Sequence, residues 1–270
     1  HKKVEINGHT FKIAAPAMEK DFLINVPVLK THNQAIVSLG LKNLKGCLKF
    51  SSKKMFHRRG PLLDLIGQLN LHITSDLVVI DGTYAMDRGP TLGMAHPMDV
   101  IIAGRDVLET DMVGAAVLGK DPEKIPMITT YRELTGRRLD LESIDIRGES
   151  IESVAAELPW ESDHNQRFKG FGLTGIQVSS APGDTSICSA CYGNMAYANF
   201  MFSKDNAGAA FNNVEICIGK NSRASSEAKE VLLFGDCAIK NNSNDAQATQ
   251  IPGCPPKVSQ YYPLLVKKYK

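Results

Sequence analysis

Residues 98–119, MDVIIAGRDVLETDMVGAAVLG, hold a strand followed directly by a helix, and this pairing decides the fold class. The apolar start of the stretch predicts a buried strand. Asp106 and Glu109 then form a capping box, which marks the first turn of a helix. That helix is expected to run through Leu118 and to end at Gly119. A strand that feeds a helix in this way favours an α/β fold.

The same alternation continues outward in both directions. Residues 4–13 predict a hairpin around Asn7-Gly8, residues 21–28 and 76–81 predict strands, and residues 62–71 predict a helix. Towards the other end, strands are predicted at 175–178, 214–218 and 230–234, with helices at 190–202 and 258–269. The predicted fold is therefore α/β with two domains, each a mostly parallel sheet flanked by helices.

A change of composition places the boundary between these domains. The stretch 149–167 is polar and contains Pro159 and Trp160, the one tryptophan of the chain. We predict domains at residues 1–155 and 156–270, a division that suits a chain of 270 residues.

Charge and hydropathy exclude several classes of function. The 31 basic and 29 acidic residues leave a net charge of +2, which argues against nucleic acid or an anionic membrane as a partner. No apolar run is long enough to predict a membrane span. Walker, GxSxG and HExxH motifs are all missing from the sequence, so the enzyme classes that they mark lack support.

Cysteines supply the first positive signal. Five of the six lie in the second predicted domain: Cys188, Cys191, Cys217, Cys237 and Cys254. Cys217 alternates with apolar residues in a predicted strand, where a cysteine is usually a small buried side chain. The other four follow or precede predicted elements, in the loops where ligands of α/β sheets bind. Four such thiolates suit a [4Fe–4S] cluster or zinc, and disulfides are the remaining alternative.

The spacing around the last two of these cysteines resembles a known family. FGDCAIKNN (234–242) and IPGCPP (251–256) are similar to the Gly-x-Cys-Ala and Gly-Cys-Pro-Pro segments of the small cluster-bearing subunit of respiratory complex I and hydrogenases. The resemblance favours a [4Fe–4S] cluster on Cys188, Cys191, Cys237 and Cys254, in loops of the second domain, over the zinc alternative.

A second group of polar residues lies in the first domain. Lys30 and His32 lie just after a predicted strand, in the stretch INVPVLKTH (24–32). Lys42 and Asn43 follow in GLKNLKGCL (40–48). Asp81 stands at the end of the predicted strand 76–81. Lysines with a histidine suit a carboxylate or phosphate. Lys45 and Lys49 are predicted to be solvated surface lysines.

The first domain also resembles a family, the bacterial and archaeal "domain of unknown function 362" proteins. The resemblance spans roughly residues 20–130, and it is carried by NVPVLKTH, LKNLKG, His57, VIDGTYAMDRGPTLG and IIAGRDVLETD. The family's upstream strand-rich segment has no counterpart here, so part of the first domain's sheet is expected to be missing. Val107-Leu108-Glu109 also replaces a commoner Pro-Val-Ala-like run. Members of this family are often linked to iron–sulfur modules.

Three functions remain open at this stage. The first is a cytoplasmic redox or electron-transfer protein of an anaerobic or facultative cell, whose cluster serves an anionic small molecule or a redox partner protein. In that hypothesis Lys30 and Lys42 hold the anion, His32 moves a proton, and Asp81 orients a lysine or binds a metal, in a cleft near the cluster. The second is a binding or assembly protein with a structural metal site. The third is a lyase whose cluster binds substrate as a Lewis acid.

Overall fold

A computed structural model describes residues 1–58, 62–90, 93–137, 140–180, 183–245 and 247–270. The chain divides into two compact units, the first formed by residues 1–89 and 93–160 and the second by residues 161–270. Among the described residues, no helix combines the length and apolar character needed to cross a bilayer.

The first unit contains seven strands among its described residues, namely β1 (Lys2–Ile6), β2 (His9–Ile13), β3 (Ile24–Asn25), β4 (Val28–His32), β5 (Ile36–Val37), β6 (Leu77–Gly89) and β7 (Ala95–Gly104). Its α-helices are α1 (Ala15–Met18), α2 (Gly40–Asn43), α3 (Phe50–Arg58), α4 (Leu62–Leu69), α5 (Val107–Val117), α6 (Pro126–Leu134) and α7 (Ile151–Val154). Short 3-10 turns occur at Leu44–Cys47, Pro122–Lys124 and Leu141–Ser143.

The long strand β6 organises the main sheet of this unit. On one side it pairs in parallel with β3 and then β4, and on the other side it pairs antiparallel with β7. Strand β5 extends the sheet as the antiparallel neighbour of β4. The sheet is thus mixed, with two parallel and two antiparallel pairings, while β1 and β2 form the predicted hairpin.

Two strands are longer than the sequence indicates, which changes the setting of predicted site residues. Lys30 and His32 lie within β4, and Asp81 lies inside β6, where it pairs with Val28 on one side and Ile101 on the other. The prediction that these residues follow strand ends is therefore wrong. β6 is paired on both sides, so its backbone groups are hydrogen-bonded and the strand continues past Gly82.

Gly82 shows why that passage of β6 needs glycine. A Cβ at this position would stand 2.6 Å from the carbonyl oxygen of Val100 on β7, closer than atoms can approach without a shift of the backbone. The residue therefore permits close strand approach, a role that glycine often has inside strands.

The second unit has a regular α/β arrangement. Its strands are β8 (Thr174–Ser179), β9 (Ala210–Ile218), β10 (Glu230–Phe234) and β11 (Thr249–Ile251), and its helices are α8 (His164–Gly170), α9 (Ser189–Asp205), α10 (Asp236–Asn241) and α11 (Val258–Tyr269). The spatial order is β11-β10-β9-β8, and every neighbouring pair is parallel. Parallel order places the carboxyl ends of these strands along one edge of the sheet.

Both units bury apolar cores. In the first, residues of the sheet, the hairpin and the helices form one cluster, in which Phe11 and Phe56 meet edge to face with ring centroids 4.5 Å apart. In the second, α9 and α11 cover the sheet with fully buried aromatic side chains such as Phe202 and Tyr261. These packed cores hold the backbone segments that carry the polar residues of the candidate sites in place.

Candidate functional site

Four cysteines gather beside the second sheet, and we name Cys188, Cys191, Cys237 and Cys254 the cysteine site. Cys188 precedes α9 as its N-cap residue, and Cys191 lies in the first turn of that helix. Cys237 lies in the first turn of α10, directly after β10. Cys254 follows β11. Three segments that are distant in sequence therefore contribute to one group.

Backbone contacts hold these segments together. The sulfur of Cys191 lies 3.8 Å from the point where a Cβ of Gly235 would stand, and the carbonyl oxygen of Gly253 lies 3.4 Å from it. Asp236 donates its amide N–H to the Gly253 oxygen at 3.0 Å, and its carboxylate accepts from the Gly253 amide at 2.7 Å. The segments that carry Cys237 and Cys254 are thus fastened to each other beside Cys191.

Helix α9 is tied to the same loops. The side chain of Asn194 donates a hydrogen bond of 2.8 Å to the carbonyl oxygen of Pro256, two residues after Cys254. Gly235 has a positive φ of 96°, which is accessible to glycine at little cost. Together these contacts keep the first turn of α9 close to both cysteine loops.

The other three cysteines of the site lie within electrostatic range of Cys191. Burial raises the pKa of the Cys191 thiol, and Cys188, Cys254 and Cys237 each raise it further. Negative charge on neighbouring thiolates has this effect because it opposes a second ionisation nearby. No disulfide links any of the chain's six cysteines, all of which lie in the described residues.

The described residues contain no group of three or more histidine, cysteine, aspartate or glutamate side chains placed to hold a metal ion. The cysteine site is accordingly defined by converging loops and mutual electrostatic effects. Cys217 is fully buried in β9, as expected for a core cysteine, and Cys47 is half-buried in the first unit.

A second group of ionisable side chains lies in the first unit, and we name Lys30, His32, Lys42, Lys45 and His57 the basic cluster. The predicted residue His32 is buried, and burial lowers its pKa well below the usual value. The charges of Lys42, Lys45, Lys30 and His57 lower it further, so all four lie within electrostatic reach of His32.

Two close contacts define the rest of the basic cluster. Lys42 Nζ donates to the hydroxyl of Ser38 at 3.4 Å, and Lys45 Nζ lies 2.8 Å from His57 Nε2. Burial, followed by the charges of Lys45 and Lys30, lowers the pKa of Lys42 to about 7. The prediction that Lys45 is a solvated surface lysine is wrong, because α3 brings His57 against its half-buried ammonium group.

Buried polar side chains position the segment that carries Lys42. Asp111 of α5 is fully buried, and its two carboxylate oxygens accept from the amides of Gly40 and Leu41 at 2.7 and 2.9 Å. Asn70 donates to the carbonyl oxygen of Leu41 at 2.9 Å, and Asn25 donates to that of Gly40 at 2.9 Å. These bonds satisfy backbone groups that a helix of one turn leaves unpaired.

The remaining predicted residues of the first unit make other contacts. Asn43 is exposed and donates to Asn25 at 2.9 Å, within the network that holds α2. Asp81 is exposed, and hydrogen bonds from the amide and side chain of Thr83 lower its pKa. The structure therefore brings together Lys30, His32 and Lys42, while Asn43 and Asp81 face different partners.

The basic cluster leads to a prediction about the reactivity of Lys42. An amine with a pKa of about 7 is roughly half neutral at pH 7, whereas an ordinary lysine with a pKa of about 10.4 is almost entirely protonated. Lys42 should therefore react first with limiting acetic anhydride at pH 7, as measured by peptide mass spectrometry. Lys12, exposed on β2, is the matched control. Equal labelling of both lysines would contradict the prediction.

Comparison with known proteins finds a family model that matches most of the first unit. The family model described as Domain of unknown function (DUF362) matches residues 1–116. The N-terminal resemblance is thereby confirmed. A thylakoid-associated protein of the cyanobacterium Synechocystis is 31% identical over 129 residues, which cover 46% of this chain and 40% of that protein. The match thus spans less than half of the relative's length. No solved structure matches the chain.

The family match includes most of the polar framework just described. Lys30, His32, Lys42 and Asp111 all fall within residues 1–116. The similarity of the cysteine segments to cluster-bearing subunits stays a prediction, because it lies beyond the matched residues.

Proposed function

We propose that this protein is an iron–sulfur electron-transfer protein. In this proposal the cysteine site holds one [4Fe–4S] cluster, and the basic cluster binds an anionic small molecule or an acidic group of a redox partner. The observation that carries the proposal is the convergence of Cys188, Cys237 and Cys254 on the half-buried thiol of Cys191.

The donor set suits such a cofactor. Four cysteine thiolates are the usual ligands of a [4Fe–4S] cluster, and all four stand on loop or helix-end positions that can adjust around it. Zinc holds four thiolates with each sulfur about 2.3 Å from the metal. A cubane cluster is wider than a single ion, so its four cysteine ligands would stand farther apart than those of zinc. When bound, the cluster would supply one-electron redox chemistry. Metal coordination also removes the thiol protons whose loss is otherwise opposed at Cys191.

We also propose a cytoplasmic location in an anaerobic or facultative cell. Thiols without disulfides suit a reducing compartment, and exposed clusters are sensitive to oxygen. The relative's name associates that protein with thylakoids, so fractionation of cells that express this chain is the direct check. Recovery with the membranes, rather than with the supernatant, would contradict the proposed location.

Anaerobic reconstitution tests the proposed cofactor. The full chain is incubated with ferrous iron, sulfide and dithiothreitol, desalted, and analysed for metal and acid-labile sulfide. We expect about four iron and four sulfide per chain and a broad visible absorbance that dithionite bleaches reversibly. Binding of zinc alone, or a cluster that dithionite leaves unchanged, would instead support a structural metal site. Iron at background level would overturn the proposal.

A further inference from the structure

We propose that the basic cluster is a phosphate site, which binds inorganic phosphate or the phosphate group of an ester. This inference rests on the proposed anionic ligand of the first unit and names its chemical class. It does not depend on the cluster of the second unit, whose ligands come from different residues.

The geometry points to one compact ligand. Four elements of the first unit contribute: β4 brings Lys30 and His32, α2 brings Lys42, the 3-10 turn after it brings Lys45, and α3 brings His57. Convergence of cationic groups from several elements surrounds a ligand, whereas a solvated surface stripe would come from one face of one element. The one-turn helix α2 is held by buried hydrogen bonds, so Lys42 is positioned in advance.

The charge balance favours a dianion. No carboxylate among the described residues raises the pKa of Lys30, His32 or Lys42 against this lowering. Gathering Lys30, Lys42 and Lys45 is electrostatically costly, and an anion offsets this cost. A single carboxylate carries one negative charge, whereas a phosphate group carries about 1.5 to 2 at neutral pH and offers several acceptor oxygens. Lysines bind phosphate as point charges, without the planar fork that arginine offers to a carboxylate.

Helices α5 and α4 both pack against α2, and their acidic side chains are engaged elsewhere. Asp111 on α5 accepts from backbone amides of α2, Glu109 on the same helix pairs with Arg137, and Asp64 on α4 accepts from Thr130. None of these carboxylates raises the pKa of Lys42. The charges that act on that lysine are those of Lys45 and Lys30.

His32 adds a donor without adding charge. Its Nδ1 accepts from the amides of Gln34 and Ala35 at 3.0 and 3.2 Å. In a neutral imidazole the other nitrogen, Nε2, must then carry the proton. The low pKa of His32 keeps the ring in this state at pH 7, so it can donate to a phosphate oxygen.

Proton uptake distinguishes this site from a permanently charged one. Phosphate bound beside Lys42 favours the ammonium form and therefore raises the pKa of that group from about 7. At pH 8 the unliganded amine is mostly neutral, so binding should take up about one proton per phosphate. At pH 6 the amine is already protonated, and uptake by this group should vanish. Affinity is accordingly expected to fall as the pH rises above 7.

Isothermal titration calorimetry of the full chain with inorganic phosphate tests the inference. Titrations at pH 8 in two buffers of different ionisation enthalpy give the number of protons taken up. Lys42→Gln should weaken binding by about tenfold or more and abolish the uptake. Lys30→Gln should weaken binding but reduce the uptake only in part, because Lys30 is the smallest of the causes that lower the pKa of Lys42. The exposed Lys12→Gln serves as the control that changes neither. Far-UV circular dichroism verifies that each variant is folded.

Each result has a defined meaning. Phosphate binding with the Lys42-dependent uptake supports the site. Binding of succinate in place of phosphate would overturn the phosphate class while leaving the proposed anionic ligand in force. Failure of both anions to bind would overturn the site itself, and iron loading of the second unit would still be measured independently. Unchanged affinity in both Lys30→Gln and Lys42→Gln would also overturn it.

Discussion

Replacement of Cys237 by serine is expected to remove most of the iron from the anaerobically reconstituted protein. Cys237 stands in the first turn of α10, and the segment that carries it is hydrogen-bonded to the segment that carries Cys254. A serine hydroxyl stays protonated at neutral pH, whereas the metal ligand must be a thiolate. Iron analysis and visible absorbance measure the loss, and the same result is expected for Cys191→Ser.

Cys217→Ser is the matched control for this experiment. The residue is a cysteine of the same unit, but it is fully buried in β9, where burial raises its pKa. Its replacement should leave the iron content intact. Full iron loading of Cys237→Ser, or equal loss in Cys217→Ser, would show that the cysteine site does not hold the cluster.

Asp111→Ala is expected to cause a large loss of stability in the first unit. The change leaves the amides of Gly40 and Leu41 buried without their acceptor. Each unpaired buried donor costs about 1–3 kcal/mol, so we expect roughly 2–6 kcal/mol less free energy of unfolding. Urea unfolding followed by circular dichroism measures this loss. Since the same bonds position Lys42, its preferential acetylation should also decline.

Two further variants keep this prediction testable. Asp21→Ala removes an exposed carboxylate of the same unit and should change stability by less than about 0.5 kcal/mol. Asp111→Asn retains an oxygen that can accept one of the two amides, so it should recover part of the loss. Equal stability of Asp111→Ala and Asp21→Ala would contradict the role assigned to the buried carboxylate.

Asp111 also gives stability a defined pH dependence. Burial raises its pKa to about 7 against the two amide hydrogen bonds, which lower it. The unfolded chain has an aspartate pKa of about 3.9, so between pH 4 and 7 the folded protein holds a proton that the unfolded chain lacks. The associated stability is fully present below about pH 4 and is lost, at up to about 1.4 kcal/mol per pH unit, as the pH rises to 7. Asp111→Asn should flatten this slope.

Local sequence patterns predicted the individual helices and strands better than the pairing of the strands. The helix after Asp106 is confirmed, with the aspartate side chain accepting from the amide of Glu109 at 3.0 Å. Alternation could not show that β6 continues beyond Asp81, because its partners on both sides come from distant segments. The strand direction of β7 likewise depends on tertiary pairing, which made the first sheet mixed.

The same limit applies to the basic cluster. Lys30, His32 and Lys42 stand out as polar residues in apolar surroundings, and the structure brings them together. The contact between Lys45 and His57 could not be predicted from sequence, because it requires the chain to turn between α2 and α3. Asp111 looks like an ordinary helical acid in sequence, since its burial arises only when α5 packs against α2.

The order of the strands in the second unit also bears on when its cysteine site can form. Cys188 and Cys191 are fixed early in the sequence of this unit, but Cys254 is brought in by β11, the edge strand that adds to β10. Parallel neighbours are joined through long connections, and contacts between distant segments form slowly. We therefore expect the group of thiols to form late in folding. Iron uptake during refolding should lag behind the gain of helical signal, and its rate would report the docking of the edge strand.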